Sequence, residues 1–184
     1  IDLELEKIEL IINKIAADPE DEDIRRVKLE LWKKIRTMAR KGRRTGLGIT
    51  AEGDMLAALG LRYGTPEATA FAVKVQKTLA LEAYRASVKM AAERGAFEIF
   101  DARKEEKNPM IGRIREADPE LYAEMVKHGR RNIAMLTIAP TGTTSLMSQT
   151  TSGIEPVFRP VYKRRRKINP SDQDAKVAFV DDMG

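Results

Sequence analysis

Cysteine is absent from the 184 residues of this chain, and histidine occurs once, as His128. The lack of cysteine excludes disulfides, thiolate-bound metals, iron–sulfur clusters and any thiol chemistry carried by the chain. A single histidine argues against a histidine metal site or a catalytic triad. We therefore predict no catalytic residue and no metal site in this sequence. His128 precedes Gly129, and we expect it to stabilise the C-terminal end of a helix through the helix dipole.

Long hydrophobic runs are also missing. No apolar stretch approaches the roughly 18 residues that a membrane-spanning helix needs. The first residues are acidic and amphipathic rather than basic and then apolar, so they do not resemble a secretory leader. We expect a cytoplasmic protein without a membrane partner. Because the chain begins with Ile1 rather than methionine, we also expect a trimmed or excised piece of a longer protein.

Charge is modest in total but uneven along the chain. The 33 Lys and Arg residues against 28 Asp and Glu give a formal net charge of +5. Positive residues cluster at 41–44 and 163–167, whereas residues 18–23 are acidic. Clustered positive charge favours phosphate-bearing partners, and it does not separate nucleotides from nucleic acids.

Residues 1–40 are predicted to form a helical hairpin. Apolar residues recur at helical spacing on both sides of the break at Asp18-Pro19. In the first helix they are Ile1, Leu5, Ile8, Ile12 and Ile15, and in the second Ile24, Val27, Leu31, Ile35 and Met38. A two-helix hairpin is therefore expected, and a regulatory coiled coil is the alternative.

The remaining chain alternates predicted strands with predicted helices, the pattern of an α/β fold. Strands are predicted at 46–50 and, as a nearly continuous apolar run buried on both faces, at 132–138. Residues 96–100 form a brief strand or an apolar plug, and residues 102–108 a charged loop. Helices are predicted from about 54 to 59, from 65 to 94 and from 118 to about 129, the last two beginning with a capping residue and a proline. The segment 171–184 is a polar tail.

One turn has the features of a phosphate-binding site. It follows the predicted strand at 132–138 and opens a short helix, so that free backbone N–H groups and the helix dipole favour an anion. Its residues are Ala139, Pro140, Thr141, Gly142, Thr143, Thr144 and Ser145, and four of them carry hydroxyl groups. The P-loop pattern is absent. The alternative is that Thr143 or Thr144 only caps the helix.

Three motifs occur in an order that resembles one known family. Residues 43–50 with 53–56 form the first, residues 129–134 with 139–145 the second, and residues 151–156 the third. Together they resemble the large subunit of ribonucleotide reductases over roughly residues 40–170. The run at 161–170 is similar to the adenosylcobalamin-dependent class II enzymes in particular. Relatives usually carry an apolar residue where Glu52 stands, so Glu52 is either a surface change or a sign of altered packing.

The resemblance implies a ten-stranded α/β barrel, helix-rich, of which residues 41–170 would supply part of the C-terminal half. Residues 139–145 would hold the phosphates of a ribonucleoside di- or triphosphate, which the family reduces by radical chemistry to a deoxyribonucleotide. Adenosylcobalamin would serve the full-length enzyme, and this chain alone would bind no cofactor. The family's cysteines lie outside the matched region, so the chain alone is predicted to be inactive. Its expected partners are the N-terminal half of the barrel and the substrate.

Two further expectations concern association. Half a barrel leaves strand edges and an apolar face uncovered, so we expect the isolated chain to form a homodimer. The basic run at 163–167 also keeps an alternative function open, a non-catalytic α/β module that binds nucleotides or nucleic acid.

Overall fold

The computed structural model describes residues 1–162, which form eight helices joined by turns and extended segments. The basic run at 163–167 and the predicted tail at 171–184 lie outside the described residues. The helices are α1 Asp2–Ala16, α2 Glu22–Gly42, α3 Glu52–Ala58, α4 Pro66–Arg94, α5 Ala102–Glu105, α6 Pro109–Ala117, α7 Pro119–His128 and α8 Thr143–Ser148. Within residues 1–162, no helix is both long enough and apolar enough to cross a membrane.

The first two helices pack against each other, as the predicted hairpin requires. Asp21 caps α2, since its carboxylate accepts hydrogen bonds from the N–H groups of Asp23 and Ile24 at 2.9 and 3.4 Å. The carboxylate of Glu9 on α1 accepts from Arg36 on α2 at 2.9 Å. From α1, Ile8 and Ile12 are buried.

The apolar stripe of α2 faces solvent among residues 1–162. Its five apolar residues are exposed, with 37% to 68% of each residue accessible to solvent. They are Ile24, Val27, Leu31, Ile35 and Met38. Periodicity identified the apolar stripe correctly, but it carries no information on which neighbour the stripe meets. In this structure the half-buried Trp32 lies on a different side of α2 from the stripe.

Helix α4 begins and ends where the sequence predicts. The hydroxyl of Thr65 accepts from the N–H of Ala68 at 3.3 Å, and Pro66 occupies the first helical position. The helix ends at Gly95, whose φ of 85° is readily adopted only by glycine. Its C-terminal half is buried at Tyr84, Ser87, Val88 and Ala91, whereas Phe71, Val75 and Leu79 are half-buried.

The hydrophobic core lies between α4, α6, α7 and one extended segment. Its buried members are Tyr84, Val88, Ile111, Ile114, Leu121, Met125 and Met135. Two of these come from α6, a helix that the sequence analysis did not predict. Asn108 caps α6 by accepting from the N–H of Met110 at 3.0 Å, and Pro109 follows it. The predicted charged loop at 102–108 is also wrong in part, because α5 spans Ala102–Glu105.

The predicted strands appear only as one short parallel contact. The N–H groups of Thr45 and Leu47 donate to the carbonyls of Ala134 and Met135 at 3.0 and 2.7 Å, and Thr137 donates back to Leu47 at 3.0 Å. These bonds make one parallel bridge between Leu47 and Leu136, and no strand or barrel forms among residues 1–162. Within the described residues, each of these two segments pairs only with the other. A Cβ on Gly48 would lie 2.4 Å from the carbonyl oxygen of Thr137, so this approach requires glycine.

Of the two alternatives for residues 96–100, the structure shows the apolar plug, a non-strand segment packed into the protein through Phe97. Phe97 is buried at 3% exposure, and its N–H donates to the carbonyl of Arg130 at 3.0 Å. Its ring meets that of Phe100 edge to face, with 5.5 Å between centroids.

Candidate functional site

The turn at 139–145 follows the Leu47–Leu136 bridge and leads into α8. Gly142 is the capping residue of α8, with φ of 50° and ψ of −104°. No atom outside its neighbours lies within 4 Å of the position that a Cβ would take. The backbone conformation, rather than a lack of space, therefore requires glycine at this position.

Thr141 anchors the turn to a neighbouring segment. Its N–H and its hydroxyl both donate to the carbonyl of Ser152, at 2.8 and 3.1 Å. The hydroxyl oxygens of Thr141 and Thr50 lie 3.1 Å apart, and Thr50 donates to the carbonyl of Thr151 at 2.7 Å. The turn is thus fixed to segments that are distant in sequence.

The segment at 150–153 is held in turn by the start of α3. The carboxylate of Asp54 accepts from the N–H of Thr151 at 2.8 Å, and the N–H of Glu52 donates to the carbonyl of Gly153 at 3.2 Å. A Cβ on Gly53 would lie 2.6 Å from the Cα of Pro156, so the backbones touch there. All three motif segments singled out in the sequence therefore meet at one place.

The four hydroxyl groups of the turn fall into two pairs. Thr141 is engaged in the anchor, and buried Ser145 donates to the carbonyl of Gly142 at 2.7 Å. Thr143 and Thr144 are exposed. Neither caps α8, because Gly142 is the capping residue and no side chain accepts from the first turn. The capping alternative is therefore wrong.

Three backbone N–H groups of the turn form no hydrogen bond within residues 1–162. The N–H of Thr144 donates to the carbonyl of Thr141 at 3.1 Å, and that of Leu146 to Gly142 at 3.2 Å. Among residues 1–162, no acceptor serves the N–H groups of Gly142, Thr143 and Ser145. The turn therefore offers a small group of free donors on a rigid support.

Lysine and arginine are absent from the stretch of sequence that contains this turn. The sequence contains no Lys or Arg between residues 132 and 158. Glu52 is buried at 6% exposure, and its carboxylate accepts from the amide of Gln76 at 2.7 Å. Glu52 is therefore not a surface change, and its polar head is matched by a packing partner on α4.

Arg130 organises the chain that leads to the turn, and the sequence analysis did not identify it. The residue is 2% exposed and makes a bidentate ion pair with Glu105, whose second bond measures 2.6 Å. Arg130 also donates to the carbonyls of Asn132 and Ile133 at 3.1 and 3.2 Å. Its guanidinium carbon lies 5.4 to 5.8 Å from the ring centroids of Tyr84, Phe97 and Phe100.

Asn132 completes this support. Its amide nitrogen donates to the carbonyl of Arg43 at 2.8 Å, and its amide oxygen accepts from the hydroxyl of Ser87 at 2.9 Å. Ser87 in turn accepts from the N–H of Asn132 at 3.1 Å. Three parts of the chain, α4, the end of α2 and the segment before the turn, are thus joined by one buried amide.

Other candidate sites offer less chemistry. His128 is the last residue of α7, at the helix end where the sequence predicts it. Its imidazole lies 3.2 Å from the carboxylate of Glu124. Within residues 1–162, no three His, Cys, Asp or Glu side chains gather to hold a metal ion. An open apolar cavity of about 820 Å³ lies between α4, α6 and residues 136–138, and no residue of 139–145 lines it.

Comparisons with known proteins agree with the order of motifs. The family model described as "Ribonucleotide reductase, barrel domain" matches residues 23–181. A vitamin B12-dependent ribonucleoside-diphosphate reductase of Mycobacterium tuberculosis is 36% identical over 127 residues, covering 68% of this chain and 16% of the relative. The enzyme of the same name from Thermoplasma acidophilum is 33% identical over 142 residues, covering 77% and 16%. A ribonucleoside-diphosphate reductase subunit alpha of Treponema pallidum is 30% identical over 134 residues, covering 68% and 15%.

The chain thus spans about a sixth of the length of the curated relatives that it matches. The family match nevertheless extends over most of the chain, including the turn at 139–145 and the segments that anchor it. On this evidence the chain belongs to the ribonucleotide reductase family, through its barrel domain.

Proposed function

We propose that this chain is part of a ribonucleotide reductase and that residues 139–145 bind the phosphates of its substrate. The observation that carries the proposal is the group of free N–H groups on Gly142, Thr143 and Ser145, on a turn fixed by Thr141. Phosphate oxygens are strong acceptors, and backbone N–H groups held in place lose little freedom when they bind them.

The side chains of the turn would have two different roles, contact with the phosphate and positioning of the backbone. Thr143 and Thr144 are exposed and can add hydroxyl donors to a bound phosphate. The hydroxyl groups of Thr141 and Ser145 donate hydrogen bonds within the protein, so these two residues would position the backbone instead. Since no Lys or Arg lies between residues 132 and 158, the positive potential must come from N–H dipoles and from parts of the enzyme beyond this segment.

The names of the relatives bear on the reaction. Two of them are vitamin B12-dependent ribonucleoside-diphosphate reductases, which supports a diphosphate substrate and adenosylcobalamin as the radical source of the complete enzyme. The cofactor would supply the radical chemistry, and we assign none of the described residues to it. With no cysteine, this chain would supply substrate binding to a barrel whose other half carries the thiols.

The proposal is tested by backbone amide NMR of the 184-residue chain during titration with cytidine diphosphate and with inorganic pyrophosphate. We expect the largest shifts at the amides of Gly142, Thr143 and Ser145. Thr143→Pro removes one donor at the first helical position, where proline is tolerated. Loss of one hydrogen bond to a charged group should weaken binding roughly tenfold.

The matched control is Thr144→Ala, which keeps every backbone donor and removes one exposed hydroxyl. It should weaken binding much less than Thr143→Pro. Unchanged affinity in Thr143→Pro, or shifts confined to other residues, would refute the phosphate assignment. Salt-sensitive binding of polynucleotides that depends on Arg164 to Arg166 would instead favour the nucleic-acid module.

A further inference from the structure

Residues 151–153, here called the bridging segment, connect the turn at 139–145 to the start of α3. On one side of this segment, Thr141 donates to the carbonyl of Ser152 through both its N–H and its hydroxyl, at 2.8 and 3.1 Å. On the other side, residues 50–54 bond to the backbone of the same segment. A group that fixes the bridging segment therefore also fixes the backbone of the turn.

Thr151 is the most firmly held residue of the bridging segment. Its carbonyl accepts from the hydroxyl of Thr50 at 2.7 Å and from the N–H of Ala51 at 3.2 Å. Its N–H donates to the carboxylate of Asp54 at 2.8 Å. Both backbone polar groups of Thr151 are thus satisfied by the start of α3. The bond to Asp54 has a carboxylate as acceptor, and such bonds are stronger than bonds between neutral groups.

The backbone at Ala51 is strained at the point where these contacts are made. Its φ of 62° and ψ of 28° lie in the left-handed region, which costs free energy for a residue that carries a Cβ. Such a conformation persists where the surrounding contacts determine it. The neighbouring N–H of Glu52 donates to the carbonyl of Gly153 at 3.2 Å, so the strained residue lies between groups that all bond to the bridging segment.

We propose that Asp54 is a positioning residue for the phosphate-binding turn, on which it acts through the bridging segment and Thr141. This role rests on the proposed function, because it takes the turn as the site that binds the phosphates. The carboxylate of Asp54 bonds to Thr151 and so acts on the turn through the backbone. With the turn held in one arrangement, a phosphate that binds to its free N–H groups does not have to order them first.

The charge of Asp54 separates this role from a direct electrostatic effect. A carboxylate near a bound phosphate repels it, so removal of the charge alone would strengthen binding. A positioning role gives Asp54→Ala the opposite sign, because loss of the hydrogen bond frees the bridging segment and the turn. Asp54→Asn removes the charge but keeps a side-chain oxygen that can accept from the N–H of Thr151. The two variants therefore distinguish loss of the charge from loss of the hydrogen bond.

Amide hydrogen exchange of the 184-residue chain, followed by NMR without ligand, tests the hold on the turn. In Asp54→Ala we expect the amides of Thr141 and Thr151 to exchange roughly tenfold faster than in the wild type, and Asp54→Asn should restore most of the protection. The amide of Gly129, which donates to Met125 at 2.8 Å at the end of α7, should be unchanged. Unchanged exchange at Thr141 and Thr151 would overturn the positioning role whether or not the chain binds phosphate. Equal loss of protection at Gly129 would also overturn it, since Asp54 would then serve the whole fold.

Titration with inorganic pyrophosphate measures the consequence for binding. Asp54→Ala should weaken binding roughly tenfold although it removes a negative charge, whereas Asp54→Asn should bind at least as tightly as the wild type. Asp21→Ala is the matched control, because it removes a carboxylate that accepts from the N–H of Asp23 at 2.9 Å at the start of α2. It should leave the affinity unchanged. Equal or tighter binding by Asp54→Ala would overturn the positioning role, and a wild type that binds no pyrophosphate would overturn the phosphate-binding function itself.

A double-variant cycle tests the route through Thr141. Thr141→Val removes the hydroxyl that donates to Ser152 and keeps the backbone N–H. If Asp54 acts through the bridging segment, the two changes loosen the same connection. The loss of pyrophosphate affinity in the double variant should then be clearly smaller than the product of the two single losses. Losses that multiply would show that Asp54 acts by another route and would overturn the proposal.

Discussion

At the scale of single residues, Arg130 illustrates how the chain supports its candidate site. Its guanidinium is buried against three aromatic rings, and its charge is balanced by Glu105. Its other donors hold the carbonyls of Asn132 and Ile133, just before the segment that pairs with Leu47. Because the pair is buried, each partner depends on the other to avoid an uncompensated charge.

We predict that the losses of stability on removing Arg130 and on removing Glu105 are not additive. Arg130→Met and Glu105→Leu should each lower the free energy of unfolding by about 3 kcal/mol, since each leaves a charge without its counterpart. The double variant should lose clearly less than the sum. Urea denaturation at one low protein concentration measures this cycle, and the fixed concentration removes any contribution from association. Additive losses would show that the two charges are not coupled.

Single residues were the hardest features to predict from the sequence. Glu105 and Arg130 are 25 residues apart, so no local pattern links them, and Glu105 was assigned to a charged loop. Thr141 and Ser145 were grouped with Thr143 and Thr144 as donors, but hydrogen bonds to Ser152 and Gly142 separate the two pairs. Both features depend on tertiary contacts that spacing does not contain.

At the scale of elements, helix ends were predicted where a capping residue precedes proline. Thr65-Pro66 and Asp118-Pro119 begin α4 and α7 as expected, because the cap and the fixed φ of proline act locally. Asn108-Pro109 is the same cap-and-proline pattern before α6. The sequence analysis missed this helix because it assigned the charged residues up to Asn108 to a loop. Strand formation depends on neighbouring strands, so the prediction of a strand buried on both faces at 132–138 is wrong: the run forms one parallel bridge, and Thr137 and Ile138 are exposed.

The cap of α7 should make stability depend on pH. The N–H of Leu121 and the guanidinium of Arg85, at 2.9 and 2.6 Å, hold the pKa of Asp118 below its usual value. A carboxyl with a lowered pKa in the folded state stabilises the fold above its unfolded pKa, and this contribution is lost as the pH falls through the folded value. We therefore predict that Asp118→Asn, which can still cap the helix, lowers the melting temperature at pH 7.

Thermal melts across the acidic range measure this difference. The melting temperatures of the wild type and Asp118→Asn should begin to converge as the pH falls below about 4, where the unfolded chain takes up the proton. The difference should vanish below the lowered pKa of the folded state, because Asp118 is then neutral in both states. Asp23→Asn provides a control, since Asp23 also pairs with an arginine but is largely exposed. A constant difference between wild type and Asp118→Asn at every pH would contradict the assignment of the effect to the charge.

At the scale of the whole chain, the buried apolar residues are unevenly distributed. The core cluster belongs to α4, α6, α7 and Met135, whereas α1 and α2 together bury only Ile8 and Ile12 among their apolar residues. The hairpin joins the remainder through the hydrogen bond from the amide of Asn132 to the carbonyl of Arg43 at 2.8 Å and through the bond from the N–H of Ile133 to the carbonyl of Gly42 at 2.9 Å. Few interactions would therefore have to break for the hairpin to open separately.

Hydrogen exchange followed by mass spectrometry should reveal this difference in local stability. Peptides from α4, α6 and α7 should exchange roughly tenfold or more slowly than peptides from α1 and α2, because the free energy of local opening follows the burial that opening exposes. Uniform protection would instead mean that the hairpin and the core unfold as one unit, with stronger coupling through Gly42 and Arg43 than their few hydrogen bonds indicate.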